Sequence, residues 1–218
     1  MNLYIVRHGQ SAGNVEKSIY FKMLDCNIPL TKLGRTQAVE SAKTIQRLTR
    51  ETYNYSLAKF RGNIFYSFYK RAEETAKIIY DALNKSPNTT NIYEGSPVLR
   101  EREWGGLRDI VNTNRKTEEH FNFFYKPTDG ESFANAYDRV ASFHQWLMMN
   151  HSETDNIVVA HGEFNKLYAM YLMRWSLDEF NKWRTPRNGE VMLFIDGKLS
   201  WRTPLTEKIV KNQSIVTQ

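Results

Sequence analysis

Short apolar runs alternate with amphipathic stretches along the chain. Residues 3–6, 63–67 and 157–160 are apolar runs with polar residues at their ends, a pattern typical of buried parallel strands. A further run, 191–195, is separated from 198–201 by an Asp-Gly dipeptide that favours a tight hairpin turn. The sequence therefore predicts three strands of the parallel type and a C-terminal β-hairpin.

Helical periodicity fills the segments between these strands. Apolar residues recur at helical spacings in 38–48, 72–83 and 133–147, and another helix is predicted after the third strand. Strands that alternate with helices predict an α/β fold, a three-layer sandwich with a mainly parallel central sheet flanked by helices. No linker or repeat divides the chain, so we predict one domain over 1–218. The segment around 100–130 has no clear period, and we expect an irregular insertion that covers the site.

Composition and charge narrow the class of protein. The 218 residues are 41% hydrophobic and 25% charged, which excludes collagen-like, disordered and disulfide-scaffold proteins. No apolar run approaches the roughly 18 residues of a membrane span, and no secretory signal is visible, so we expect a cytoplasmic protein without a membrane partner. The single cysteine, Cys26, excludes an internal disulfide and a cysteine-based zinc site. The net charge of +6 favours anionic ligands, but no basic stripe or motif indicates nucleic acid.

Two histidines follow apolar strands in the same context. His8 and His161 each come directly after a predicted strand and directly before a glycine. The carboxyl ends of parallel strands meet at one edge of a sheet, so the two imidazoles can converge there. One such histidine is more often a packing residue, but two in the same register favour a site. A zinc site is the alternative; the other histidines show no ligand spacing such as HExxH, so we expect no metal and no cofactor.

Arginines and carboxylates near these histidines favour an anionic ligand. Arg7 comes directly before the first histidine, and Arg71 opens the helix after the second strand. A guanidinium fork and a helix N-terminus both attract phosphate. Glu101 and Glu103 alternate with arginines in segment 99–105, where a solvated charge cluster is the competing interpretation.

Six short blocks lie in order along the chain: Arg7-His8-Gly9-Gln10-Ser11 with Asn14, then 30–38, 67–76, 99–105, 129–132 and 159–162. Together they resemble the signature of the histidine phosphatase superfamily, the phosphoglycerate mutase-like proteins, over residues 3 to about 194. Further similarity, as in Phe124-Tyr125 before Gly130-Glu131-Ser132, points to the branch of broad-range acid phosphatases found in fungi and plants. The resemblance implies a phosphoglycerate mutase-like form of the predicted sandwich.

The resemblance also implies a covalent phosphohistidine mechanism. His8 would be the nucleophile, neutral at one ring nitrogen and fixed in its tautomer by a hydrogen bond at the other. Glu101 would protonate the leaving oxygen and then activate water, with Glu103 as the rival acid. A small phosphomonoester is the substrate class that this chemistry implies.

A set of side chains would bind the phosphoryl group and neutralise the charge that develops on it. The resemblance assigns this role to Arg7, Asn14, Arg71, His161 and Gly162. Of these, Arg7, Arg71 and His161 would also take part in catalysis beside His8 and Glu101. The chain departs from the family pattern at Tyr69 and Lys70, before the arginine, and at Glu163, where an added carboxylate bears on which substrates are accepted.

Three functions stay open at this point. Hydrolysis of a small phosphomonoester is the first, a mutase that returns the phosphoryl group to its product is the second, and a non-enzymatic phospholigand-binding module is the third. The stretch after Gly105 contains no adjacent arginine pair of the mutase kind; Arg115-Lys116 is the nearest basic doublet. This favours hydrolysis. The sequence leaves the oligomeric state and the physiological substrate undetermined.

Overall fold

Seven strands form one mixed sheet in the part of the chain that the structure describes. In the computed structural model, which describes residues 1–56, 59–83, 92–106, 122–202 and 209–210, the strands are β1 (Leu3–Arg7), β2 (Gly62–Ser67), β3 (Tyr93–Ser96), β4 (Asp155–Ala160), β5 (Val191–Ile195), β6 (Lys198–Arg202) and β7 (Ile209–Val210). Their order across the sheet is β3-β2-β4-β1-β5-β6-β7. The pairs from β3 to β1 are parallel and those from β1 to β7 antiparallel. Hence β1, β2, β3, β4 and β6 run in one direction, which confirms the predicted mainly parallel sheet.

Helices cover both faces of this sheet. The helices are α1 (Ala12–Val15), α2 (Lys32–Thr52), α3 (Lys70–Leu83), α4 (Phe133–His151), α5 (Gly162–Met173) and α6 (Leu177–Lys182), with 3-10 turns at Lys17–Phe21, Asp25–Asn27 and Pro97–Leu99. Among the described residues, none of these helices combines the length and apolar character needed to cross a bilayer.

Two hydrophobic cores lie on opposite sides of the sheet. Successive side chains of a strand point to opposite faces, and β1 follows this rule. Its Tyr4 and Val6 belong to the core formed with α2 and α3, whereas Leu3 and Ile5 belong to the core formed with α4 and α5. All four are fully buried, which explains the continuous apolar run in the sequence. The predicted three-layer sandwich is confirmed.

The register between β1 and β4 determines where the two histidines emerge. Arg7 lies opposite Ala160 in the parallel pair, so the residues that follow them leave the sheet at the same level. The backbone N–H of His8 donates to the carbonyl oxygen of Ala160 at 3.0 Å. His8 and His161 therefore stand side by side at the carboxyl edge of the sheet.

Two glycines allow the loop after β1 to cross the start of α2. A Cβ on Gly9 would overlap the carbonyl group of Gly34, and a Cβ on Gly34 would overlap the carbonyl group of Gln10. Thr31 caps α2 by accepting a hydrogen bond from the backbone N–H of Gly34 at 3.0 Å. Close backbone contact thus fixes the loop that follows His8.

The predicted hairpin is confirmed, and four described elements were not predicted: α1, α6, β3 and β7. β5 and β6 pair antiparallel around Asp196 and Gly197, whose φ values of 48° and 73° suit a primed turn. β3 and β7 are edge strands, which need no apolar run, and α1 and α6 have only 4 and 6 residues, too few for a helical period. Of the predicted insertion around 100–130, residues 107–121 lie outside the described residues.

Candidate active site

A cavity of about 400 Å³ opens at the carboxyl ends of β1, β2 and β4. This is where ligands bind in open α/β sheets. It is lined by Arg7, His8, Asn14, Lys17, Tyr20, Asp25, Arg71, Glu101, Trp104, Gly162, Glu163 and Thr185.

His8 is held as a neutral imidazole with a defined tautomer. Its Nδ1 lies 2.6 Å from the carbonyl oxygen of Gly9. A carbonyl oxygen can only accept, so Nδ1 carries the proton and Nε2 keeps its lone pair. Burial lowers the pKa of His8 well below its usual value, and the charges of Arg71 and Arg7 lower it further. A neutral imidazole with a free Nε2 lone pair is the nucleophilic form.

His161 is fully buried against the His8 ring. The two ring centroids are 5.2 Å apart, with an angle of 64° between the planes. Nε2 of His161 lies 2.8 Å from the hydroxyl of Ser67 at the end of β2, and its buried Nδ1 has no hydrogen-bond partner among the described residues. Burial lowers the pKa of His161 well below its usual value. A buried polar nitrogen without a partner is suited to a ligand that completes its hydrogen bonding.

Arg7 is anchored at one nitrogen and leaves another unused. Its Nη1 donates to the carbonyl oxygen of Pro186 at 2.6 Å, whereas its buried Nε has no partner in the described part of the chain. Gly162 makes room for this guanidinium group, since a Cβ there would lie 3.1 Å from Cζ of Arg7 and 2.8 Å from Cγ2 of Thr185. Burial lowers the pKa of Arg7, but an arginine side chain stays charged in proteins.

Arg71 is fixed by a carboxylate and by an aromatic ring. Its Nη1 donates to Oδ1 of Asp25 at 2.8 Å, and its guanidinium carbon lies 4.9 Å from the ring centroid of Tyr69. The Tyr69 ring also meets the His161 ring edge-on at 5.0 Å. Tyr69, which departs from the family pattern, therefore packs against two of the residues that line or support the cavity.

Asn14 lines the cavity and is held through its amide oxygen. Its Oδ1 accepts hydrogen bonds from the backbone N–H of Ser11 at 3.0 Å and from Nδ2 of Asn188 at 3.1 Å. These donors identify the oxygen of the amide. The Nδ2 group of Asn14 donates to none of the described residues and is available to an anion.

Glu101 accepts hydrogen bonds from the first turn of α5. Its Oε1 accepts from the backbone N–H of Phe164 at 3.1 Å, and its Oε2 accepts from that of Glu163 at 3.3 Å. A carboxylate is favoured at a helix N-terminus by the exposed N–H groups and the helix dipole. Glu103 is about half exposed, accepts from the hydroxyl of Tyr69 at 3.0 Å, and is not among the residues that line the cavity. Glu101 lines the cavity and Glu103 does not, although these N–H contacts favour the ionised form of Glu101 over the protonated form of a general acid.

Glu163 forms an ion pair with Arg102 in the cavity wall. Nε of Arg102 donates to Oε2 of Glu163 at 2.7 Å, and the guanidinium group is held between the rings of Trp104 and Phe133, 4.3 Å from each centroid. Burial raises the pKa of Glu163 to about 7, with the charge of Glu101 acting in the same direction and that of Arg102 against it. The cavity wall therefore contains a carboxyl group that is expected to titrate near neutral pH.

The residues predicted from the sequence come together at this cavity. Those that line it are Arg7, His8, Asn14, Arg71, Glu101 and Gly162, and His161 contacts His8 from behind the lining. Lys17, Asp25 and Thr185 also line the cavity and were not predicted. No periodicity or strand end marks these three, because they lie in turns that only the tertiary fold brings to the site.

Among the described residues, no three or more His, Cys, Asp or Glu side chains are grouped so that they could hold a metal ion. His144 instead has its Nδ1 at 3.0 Å from the hydroxyl of Tyr168. The positive charge at the cavity comes from the guanidinium groups of Arg7 and Arg71 and from Lys17.

An imidazole flanked by two guanidinium groups, at the carboxyl edge of an α/β sheet, is typical of proteins that bind or transfer phosphoryl groups. Comparison with known proteins agrees with this class. The family model described as "Histidine phosphatase superfamily (branch 1)" matches residues 3–197. The chain belongs to this superfamily, and the resemblance stated from the sequence is confirmed.

Individual relatives include phosphatases. The chain is 29% identical over 202 residues to phosphoglycerate mutase-like protein AT74 of Arabidopsis thaliana, a match that covers 87% of this chain and 63% of AT74. It is 24% identical over 280 aligned positions to the broad-range acid phosphatase DET1 of Saccharomyces cerevisiae, a match that covers 88% of this chain and 84% of DET1. A mycobacterial glucosyl-3-phosphoglycerate phosphatase has the same fold, with a TM-score of 0.68 at 19% identity over 92% and 96% of the two chains. The chain thus spans less than two thirds of the length of AT74.

Proposed function

We propose that the protein is a phosphomonoester hydrolase that forms a phosphohistidine on His8. The observation that carries this proposal is the hydrogen bond from Nδ1 of His8 to Gly9, which leaves Nε2 as the attacking nitrogen in a cavity lined by Arg7 and Arg71. Membership of the superfamily and the printed activities of DET1 and the mycobacterial phosphatase support hydrolysis of phosphate esters.

In the first half-reaction, Nε2 of His8 forms a bond to phosphorus while the bond from phosphorus to the ester oxygen breaks. Protonated Glu101 gives its proton to the departing oxygen, which leaves as an alcohol. Negative charge is spread over the three equatorial phosphoryl oxygens, and stabilising it is the main task of the site. The unused Nε of Arg7 is a donor suited to these oxygens. Nδ1 of His161 is a second one, because it carries the ring proton when Nε2 accepts from the hydroxyl of Ser67.

In the second half-reaction, water attacks the phosphorus and the bond to Nε2 breaks. Glu101, now ionised, takes the proton from the attacking water. The products are inorganic phosphate and the free imidazole of His8, so the protein returns to its starting state. The amide nitrogen of Asn14 and the guanidinium group of Arg71 hold the phosphoryl group through both steps.

We propose small phosphomonoesters as the substrate class. The cavity volume of about 400 Å³ suits a compact ligand. Beyond the phosphoryl position, Tyr20 and Trp104 offer aromatic surface and Lys17 a positive charge to the leaving group. DET1 carries the description "broad-range", which agrees with a site that binds the phosphoryl group tightly and the leaving group loosely.

The proposal is tested by trapping the intermediate with a radiolabelled phosphomonoester. We expect wild-type protein to acquire an acid-labile, base-stable label, and His8→Ala to acquire none. His144→Ala is a matched control, since it removes a histidine from α4 that does not line the cavity. We expect that variant to keep the label, and we expect phosphate release to persist in a chelator. Labelling of His8→Ala would contradict the assignment, as would turnover that requires an added divalent ion.

A further inference from the structure

A carboxylate of the protein binds one of the two arginines that the proposed function assigns to phosphate. Arg71 donates from Nη1 to Oδ1 of Asp25 at 2.8 Å and to its main-chain carbonyl oxygen at 2.7 Å, and from Nη2 to Oδ2 at 3.3 Å. Asp25 and phosphate are both anions that favour a guanidinium fork. The two can act together only if they use different edges of Arg71.

The hydrogen bonds of Arg71 identify the edge that Asp25 uses. A guanidinium group has an end edge, formed by Nη1 and Nη2, and a side edge, formed by Nε and the outer hydrogen of Nη2. Asp25 takes the end edge with both carboxylate oxygens, and its carbonyl takes the second hydrogen of Nη1. The side edge has no partner among the described residues. It can therefore bind two oxygens of a phosphoryl group while Asp25 stays in place.

Packing keeps Arg71 in this orientation. The side chain is only 5% exposed, and the ring of Tyr69 covers one face of the guanidinium group at 4.9 Å. Asp25 lies in the 3-10 turn Asp25–Asn27 and is itself a lining residue of the cavity. The ring keeps the guanidinium group from tilting out of its plane. Rotation within that plane is restrained by the two hydrogen bonds to the Asp25 carboxylate.

We infer that Asp25 is a positioning residue that holds Arg71 by its end edge, so that the side edge faces the phosphoryl group. This inference rests on the proposed function. Removing Asp25 has two effects of opposite sign on an anion in the cavity. It removes a negative charge, which favours binding, and it releases Arg71, which disfavours binding. We expect the release of Arg71 to affect anion binding more than the lost negative charge does, because bidentate binding depends on the orientation of the guanidinium group.

The experiment compares vanadate binding, measured by calorimetry, with kcat and KM for an aryl phosphate. Asp25→Ala is expected to weaken vanadate binding at least tenfold and to lower kcat/KM by a similar factor, mainly through kcat. Asp25→Asn retains an acceptor for Nη1 and is expected to restore part of both losses.

Glu74→Ala is the matched control. Glu74 anchors the same stretch of chain, since it accepts from the backbone N–H of Leu30 at 3.0 Å and pairs with Arg35 at 3.1 Å, but it does not contact Arg71. We expect this variant to bind vanadate as the wild type does. A loss equal to that of Asp25→Ala would overturn the inference, because the segment as a whole would then be responsible.

Equal or tighter vanadate binding by Asp25→Ala would also overturn the inference and make Asp25 a competitor of phosphate. If the wild type hydrolyses the ester and Asp25→Ala behaves in the same way, only this inference fails. A wild-type chain that neither binds vanadate nor releases phosphate contradicts the proposed function and the inference with it.

Discussion

Arg102 donates a hydrogen bond to Glu163 over 2.7 Å, yet the pKa of that carboxyl group is raised to about 7. Burial of Glu163 and the charge of Glu101 outweigh the attraction of Arg102. The charge of Lys166, one turn along α5, also lowers the pKa of Glu163, and burial of Lys166 lowers its own pKa to about 8. The charge of the cavity wall is therefore expected to change with pH near neutrality.

This coupling predicts the pH dependence of stability. A carboxyl whose pKa rises on folding binds its proton more tightly in the folded chain, so the free energy of unfolding falls as pH rises from about 4.5 to about 7. Glu163→Gln cannot titrate. We expect the free energy of unfolding of wild type, relative to this variant, to fall by on the order of 2 kcal/mol between pH 5 and pH 8. Urea unfolding at both pH values measures it, and a constant difference would contradict the prediction.

A proton donor at Glu101 predicts a dependence on the leaving group. Glu101→Gln should slow phosphorylation by an alkyl phosphate roughly 100-fold or more, since an alkoxide leaves poorly without a proton. An activated aryl phosphate needs little protonation and should be largely spared. Glu103→Gln, at the rejected rival, should affect both esters little. Rapid-quench kinetics on the two substrates measures this, and equal losses for both esters in Glu101→Gln would instead indicate a structural role.

The tautomer of His8 can be observed directly. Long-range proton–nitrogen NMR spectra, assigned with His8→Ala and His161→Ala, should show Nδ1 of His8 protonated and Nε2 unprotonated. Because burial lowers the pKa of both imidazoles, each should stay neutral as pH falls below 6.5. A proton on Nε2 of His8, or a titration midpoint near 6.5, would be inconsistent with Nε2 as the attacking nitrogen.

Gly162 lies between Arg7 and Thr185, and a substitution can test whether this position requires a residue without a side chain. In Gly162→Ala the new methyl would contact Cγ2 of Thr185 at 2.8 Å and Cζ of Arg7 at 3.1 Å. We expect kcat/KM to fall roughly 10- to 100-fold, since small displacements of a positioning group are costly. Adding Thr185→Ser removes the nearer contact and should restore part of the activity, whereas Thr185→Ser alone should change little. No recovery in the double variant would contradict a role for Thr185 and assign the loss to the direct contact of the methyl with Arg7.

The sequence predicted the parts of the site that sit at strand ends. Strand periodicity and the two His-Gly pairs were enough to predict that His8 and His161 lie close together, because parallel strands end at a common edge. The register of Arg7 with Ala160 is the physical reason. Arg71 was predicted on the same basis, from its place in the first turn after β2.

The remaining contacts depend on tertiary packing. Asp25 contacts Arg71 from a 3-10 turn, and Thr185, in the loop between α6 and β5, lies beside Gly162. Neither residue lies in a periodic segment, so no pattern of hydrophobic positions marks them. The raised pKa of Glu163 likewise arises from burial and from Glu101, which a sequence does not display.

The charges around the cavity predict hydrolysis in preference to mutase activity. A mutase must bind a doubly phosphorylated intermediate, which needs a second set of cations. Of the described residues that line the cavity, Arg7 and Arg71 are assigned to the first phosphoryl group, and Lys17 is the further cation. Asp25 and Glu163 in the same lining are paired with Arg71 and Arg102, so they leave no further positive charge for a second phosphoryl group.

Incubation with 3-phosphoglycerate should therefore yield free phosphate and little 2-phosphoglycerate, even when 2,3-bisphosphoglycerate is present to phosphorylate His8. Lys17→Met should lower kcat/KM for 3-phosphoglycerate more than for a neutral alkyl phosphate, because only the former presents a carboxylate to that lysine. Phosphate release and NMR of the products measure both. Efficient interconversion of the two phosphoglycerates with negligible phosphate release would make the protein a mutase, because the phosphohistidine would then be transferred to the product faster than water reaches it.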